Sequence, residues 1–170
     1  MAFTLHAALV PGWLQIIGAA RGWLAKAGDS GIAEQELIES RLIADMLPFR
    51  YQVRSIATHS AGAISAVRAG VYTSDRSPSP TSLAALDEVL LDAAACLEVI
   101  DPGEVDDLIG RPMCISIGEH RIDFVAEDFL LSFSQPNFYF HATTAYGLLR
   151  MNGLALGKPD FVGAVRVKPS

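Results

Sequence analysis

Cysteine is scarce in this chain: Cys96 and Cys114 are the whole complement. Two thiols make no disulfide framework, and they do not stand at metal-type spacing. Both read as small apolar core residues. Charge is thin as well. Asp, Glu, Lys and Arg supply 19% of residues, below the roughly 25% usual for soluble domains. The charge that is present leans acidic, with 13 Lys plus Arg against 19 Asp plus Glu and a formal net of -6. No basic cluster interrupts it. Such a surface repels phosphate backbones and anionic headgroups, which argues against nucleic acid and membrane surfaces as partners. Gly-rich phosphate loops, a Gly-x-Ser-x-Gly elbow and a His-Glu-x-x-His zinc motif are also missing.

Two stretches carry no Asp, Glu, Lys or Arg, namely residues 1–20 and 129–149. Both approach the roughly 20 residues that a spanning helix needs. The first holds His6, Pro11, Gly12 and Gln15 and lacks the basic start and the cleavage site of a secretory signal. The second holds Ser132, Ser134, Asn137, His141 and Thr143 among other polar groups, too many for lipid. Neither is expected to cross a bilayer, and a cytoplasmic protein is the default expectation.

What the chain has in quantity is apolar surface. At 51% hydrophobic over 170 residues, it is long enough for one domain with a substantial core, taken here as residues 1–170. Residues 5–26 read as a helix, with His6, Val10, Trp13, Ile17 and Leu24 on one stripe and a Gly28-Asp29-Ser30-Gly31 stop. A short helical stretch follows over 33–45. Pro48 then opens a second long helix reaching residue 71, with Gln52, Ile56, His59 and Ala63 on one face. Residues 74–80 are a Ser/Pro loop. Thr81 or Ser82 caps a third helix to residue 100, where Leu83, Leu86, Leu90, Ala94 and Leu97 recur at helical steps. Residues 114–117 and 121–125 suit a small hairpin around Gly118-Glu119-His120. The last helix spans 127–151, and Pro136 inside it predicts a kink or split just before Asn137. The tail to residue 170 reads as coil. Four long helices with short links are most simply an all-α, up-down four-helix bundle, with a small β-hairpin before the last helix.

The last helix is the most informative feature. A surface helix ordinarily carries charge on its outer face, and this one has uncharged groups all round. A helix of that kind is covered on most sides, which predicts a homodimer as well as a bundle core. Within it, Asn137 and His141 stand one helical turn apart on one face. His59 and Gln52 share a face of the second helix, and bundles commonly build sites between facing helices. The candidate cluster is therefore His59, Asn137 and His141 as metal ligands, with Gln52 beside them. Tyr139 is a further candidate for binding a ligand through its hydroxyl. Set against this, a buried histidine can simply be hydrogen-bonded to its neighbours, and zinc-type sites usually use His, Cys or carboxylate rather than an amide. No carboxylate general base accompanies the cluster.

The run Pro136-Asn137-Phe138-Tyr139-Phe140-His141-Ala142-Thr143-Thr144-Ala145-Tyr146, followed by Leu149-Arg150 and Asn152-Gly153, resembles the C-terminal signature of an uncharacterised bacterial domain-of-unknown-function family. Arg41-Leu42, Asp45-Met46 and Gln52-Val53 resemble its central motif, and residues 156–161 its tail. That family is similar to the DinB/YfiT-like superfamily. The resemblance implies a four-helix bundle, often dimeric, in which a divalent metal is held by one histidine of the second helix and a His-x-x-x-His pair of the last. Carried over by position, His59 is the second-helix ligand and His141 the second member of the pair, while Asn137 replaces the first. Two readings follow. One is a metal-free or weakly metal-binding dimeric module with a polar site for a small molecule between the second and last helices. The other, which the resemblance alone supplies, is an enzyme using a divalent metal such as Zn or Ni, of thiol-dependent transferase or hydrolase type.

Overall fold

A computed structural model describes residues 3–75 and 77–168. Thr4 starts the first helix: its hydroxyl accepts from Ala7 N at 3.1 Å, so α1 (Leu5–Gly28) begins ahead of Pro11. A short α2 (Glu34–Glu39) stops well before residue 45, because the Ser40 hydroxyl turns back onto Leu37 O. The second long helix is in fact two, α3 (Phe49–Thr58) and α4 (Ala61–Ala69), with His59 and Ser60 outside both. The third long helix, α5 (Leu83–Glu98), is capped by the Ser82 hydroxyl as expected. Asp101-Pro102-Gly103 does more than end it. The Asp101 carboxylate caps a further turn, α6 (Pro102–Asp106).

The expected hairpin belongs to a three-stranded sheet. Gly70 takes a positive φ of 74° at the end of α4 and turns the chain into β1 (Val71–Tyr72). That strand lies parallel to β2 (Pro112–Ile117), which pairs antiparallel with β3 (His120–Val125). The turn is Gly118-Glu119 alone, with His120 already in β3 opposite Ile117. Gly118 at φ 61° supplies the positive φ that a two-residue connection needs to match the twist of its strands.

The final helical segment runs without interruption from Ala126 to Met151, but not as one regular helix. It consists of α7 (Ala126–Asp128), a π-helical turn (Phe129–Ser134) and α8 (Gln135–Met151). The expected kink before Asn137 is replaced by this wide turn, which ends two residues before Pro136. A proline has no N–H for the ladder, and a π-turn is one way a helix absorbs such a defect. The tail is not all coil. A last turn, α9 (Lys158–Val162), docks on α1, where Trp23 stacks on Phe161 at 5.6 Å and donates its indole N–H to Asp160 O at 2.7 Å.

The long helices make one apolar interior. α1 packs against α5, α8 and α9, and α3 packs against α5 and α8. Trp13, Phe49, Leu86, Leu90, Phe129 and Phe138 are fully buried within it. Only one cysteine behaves as expected: Cys114 is buried in β2, whereas Cys96 is exposed. The buried face of α5 is set by Leu86, Leu90, Ala93 and Leu97, and residue 96 points about 100° away from its neighbour Leu97. Among the described residues no helix is long and apolar enough to cross a membrane.

Candidate functional site

The break between α3 and α4 creates the site. The Ser60 hydroxyl bonds back to Ile56 O at 2.7 Å, and Ser60 itself takes φ -122° and ψ -94°, far from helical. Serine competes with the helical ladder in this way wherever its side chain can reach a carbonyl. His59 is thereby left at the corner instead of on a continuous helix face. The Ser134 hydroxyl, from the π-turn, reaches across and donates to His59 O at 3.1 Å. Two irregular pieces of backbone thus meet at one histidine.

Its ring is enclosed by aromatic groups. His59 lies nearly parallel to His141, with centroids 5.5 Å apart and planes 13° apart. Tyr72 of β1 stacks on it at 5.8 Å, and Phe133 of the π-turn meets it edge-on at 5.7 Å. His59 Nδ1 is buried and has no partner among the described residues. His141, on α8, is held differently. Its Nδ1 lies 2.7 Å from Gln52 Oε1, and the Gln52 amide nitrogen donates to Leu47 O at 2.8 Å. With the amide nitrogen committed to a carbonyl, the amide oxygen faces the imidazole. His141 must then donate from Nδ1, which leaves Nε2 with the free lone pair.

Both rings are kept neutral. Burial lowers His59 from 6.5 to about 4, reinforced by the neighbouring His141, and burial lowers His141 to about 4 as well. Taking a cation out of water disfavours the charged form, and two adjacent imidazoles disfavour it further.

The structure therefore brings together three of the residues expected at the site: Gln52, His59 and His141. Asn137 is half-buried on the same helix as His141, but its amide nitrogen is turned back onto Phe133 O at 2.7 Å. Only its carbonyl oxygen remains free to ligate anything. Tyr139 stands on another side of α8, where its hydroxyl approaches Gly12 of α1. The donors consequently fall short of a three-imidazole centre. Among the described residues no group of three or more His, Cys, Asp or Glu could hold a metal ion. Sequence reasoning missed Tyr51, Tyr72, Phe133 and Ser134. Tyr51 meets His141 edge-on at 5.9 Å. Its place next to Gln52 in the chain was a usable signal. Tyr72 had none, since the strand that carries it was not foreseen.

A mostly helical chain with a small sheet and an imidazole pair between two of its helices defines a type that can be compared directly. It is similar in fold to the crystal structure of a DinB family member protein from Shewanella denitrificans, with a TM-score of 0.79 at 23% identity, over 98% of this chain and 96% of that one. At that identity the likeness is one of fold. No curated protein matches the chain. The chain belongs to the family described as a domain of unknown function (DUF1993), whose model matches residues 5–162.

Proposed function

We propose that this protein is a DinB-like bundle, up-down in topology, whose imidazole pair between α3 and α8 receives a small polar molecule without needing a metal. One observation carries the reading. His141 is held in a single tautomer by Gln52 and stacked on His59, whose buried Nδ1 has no partner among the described residues. Buried polar atoms are ordinarily satisfied, and this orphan stands ready for an ordered water or a ligand. The pair presents neutral nitrogen lone pairs at pH 7. With both rings near 4, they are weak bases there, well below the matching pKa that general-base catalysis favours. Binding is thus better supported than proton abstraction.

A homodimer goes with this reading. Phe140 and Leu131 are large apolar side chains exposed along the uncharged last helix, a surface of interface composition. Light scattering at micromolar concentration tests it. A monomer throughout would remove it.

The second reading is the divalent-metal enzyme of thiol-dependent transferase or hydrolase type. Its support is that two deprotonated imidazoles are ready ligands at neutral pH. Against it stands the donor set, with an amide in the place of a third imidazole. Metal content by mass spectrometry on tag-free protein, before and after incubation with Zn or Ni, separates the two. We expect substoichiometric metal in the native chain and stoichiometric metal in Asn137→His, which restores the third imidazole. Stoichiometric metal in the native chain, lost in His141→Ala, would overturn the metal-free reading.

A further inference from the structure

A cleft of about 260 Å³ opens beside Tyr51, lined among others by Arg41, Arg50, Arg54, Asp75 and Ser77. In a chain with 13 basic residues and a net charge of -6, three guanidinium groups on one small cleft are a marked local reversal of sign.

Arg54 is the inner member, 9% exposed. Its Nη1 donates to Ser77 O at 2.5 Å and its Nη2 to Asp75 O at 3.2 Å. The guanidinium carbon lies 5.1 Å from the Tyr51 ring centroid, and Nε is buried without a partner among the described residues. Arg50 donates from Nε to Glu39 at 2.8 Å and reaches Ser79 O at 3.4 Å. Arg41 uses one N–H on Met46 O at 2.6 Å and pairs with no carboxylate among the described residues. Asp75 is the opposing charge at the cleft: its Oδ1 is taken by Ser77 N and Oγ, and its Oδ2 lies 3.7 Å from Arg54 Nη1. Among the described residues, three guanidiniums thus face two carboxylates, Glu39 and Asp75. Bracing of Asp75, Ser77 and Ser79 accounts for two N–H groups of Arg54 and one of Arg50. It leaves unexplained the Nε of Arg54, orphaned among the described residues, and the arrival at the same cleft of Arg41, which pairs with no carboxylate among them.

From this the geometry points to an oxyanion site: the cleft takes a carboxylate or phosphate group carried on a small molecule. The planar fork of a guanidinium matches both groups bidentately, and partly buried charge-assisted bonds are the strong ones. Cationic ligands meet like charge here. Apolar ligands would bury guanidinium groups without compensation. The volume is slightly below that of ordinary ligand pockets, roughly 300–1,000 Å³, so it suits a headgroup and not a whole ligand. The site stands on its own, whatever the histidine pair binds.

The test titrates the full chain at low ionic strength with inorganic phosphate, and separately with acetate, following the arginine Nε–H resonances. Sodium chloride at matched ionic strength is the control. We expect saturable binding of at least one oxyanion with movement of the Arg54 signal. Arg41→Gln, at an exposed position, should weaken it about tenfold, as should Arg54→Lys, which keeps the charge and loses the fork. Asp75→Asn should tighten it by removing the competing carboxylate. The preferred arm identifies the oxyanion. Absence of saturation with both, an equal response to chloride, or affinities unchanged in both Arg41→Gln and Asp75→Asn would overturn the proposal.

Discussion

The contact of α9 on α1 and the seam between α3 and α8 are built from similar materials and finished differently. At the first, Trp23 stacks on Phe161, meets Tyr146 edge-on at 5.7 Å and donates its N–H to Asp160 O. Gln15 donates to Val162 O at 2.7 Å. These polar groups are satisfied where the aromatic surface is covered. At the second, an equally aromatic neighbourhood encloses two imidazoles, and the buried Nδ1 of His59 has no partner among the described residues. The first region is explained by stability alone. The second leaves a polar atom buried at a cost of about 1–3 kcal/mol unless a water or a bound group meets it.

The largest expected break falls on the settled region. Trp23→Ala removes the stack, the edge contact and the hydrogen bond together, and should cost about 3–5 kcal/mol in urea unfolding. A loss under 1 kcal/mol would mean that α9 contributes little to the folded state.

Next comes the pH response of the seam. The folded values near 4 lie below the unfolded 6.5, so the unfolded chain binds more protons between them. Stability is then fully present above pH 6.5 and falls as the pH drops toward 4, by up to about 3 kcal/mol for each ring. His59→Phe should remove roughly one ring's share of that slope while leaving the protein as stable as before, or more so, at pH 7.5. An unchanged profile in the variant would place the acid sensitivity elsewhere.

Gln52→Leu should have a smaller effect, about 1–3 kcal/mol, because the His141 N–H loses its acceptor. Nitrogen-detected NMR should show His141 losing its single-tautomer pattern; a retained pattern would show that another group holds the ring. The smallest change belongs to the settled side. Arg21→Met breaks the bidentate pair with Asp87, a half-exposed contact on α1 and α5, and should cost less than about 1 kcal/mol. A larger cost would make that surface part of the core's support.

The members of the cluster were legible from residue type and spacing, but their arrangement was not. Gln52 and His141 were placed on facing helices by periodicity, and the structure joins them directly. His59 was read on a continuous helix, since its flanking residues keep the apolar period through Ala63 and Val67. The break at Ser60 depends on one hydroxyl choosing Ile56 O, a choice that propensity does not resolve. Tyr72 and α9 were missed for a related reason. A two-residue strand and a five-residue helix have too little pattern of their own, and each forms because a partner is already in place.

By itself the amino-acid sequence determined a mostly helical chain, its long apolar stripes, a cap at Thr81 or Ser82, and a last helix too poor in charge to face water on all sides. Those are consequences of local sterics and of period, and neighbours in the chain suffice for them. The tertiary structure decided where the ladder breaks, how Pro136 is absorbed, which imidazole is held and which is left unpaired, and that three arginines share one cleft. Each of these depends on groups far apart in the sequence competing for the same hydrogen bonds and the same buried space, and only the folded chain brings those groups together.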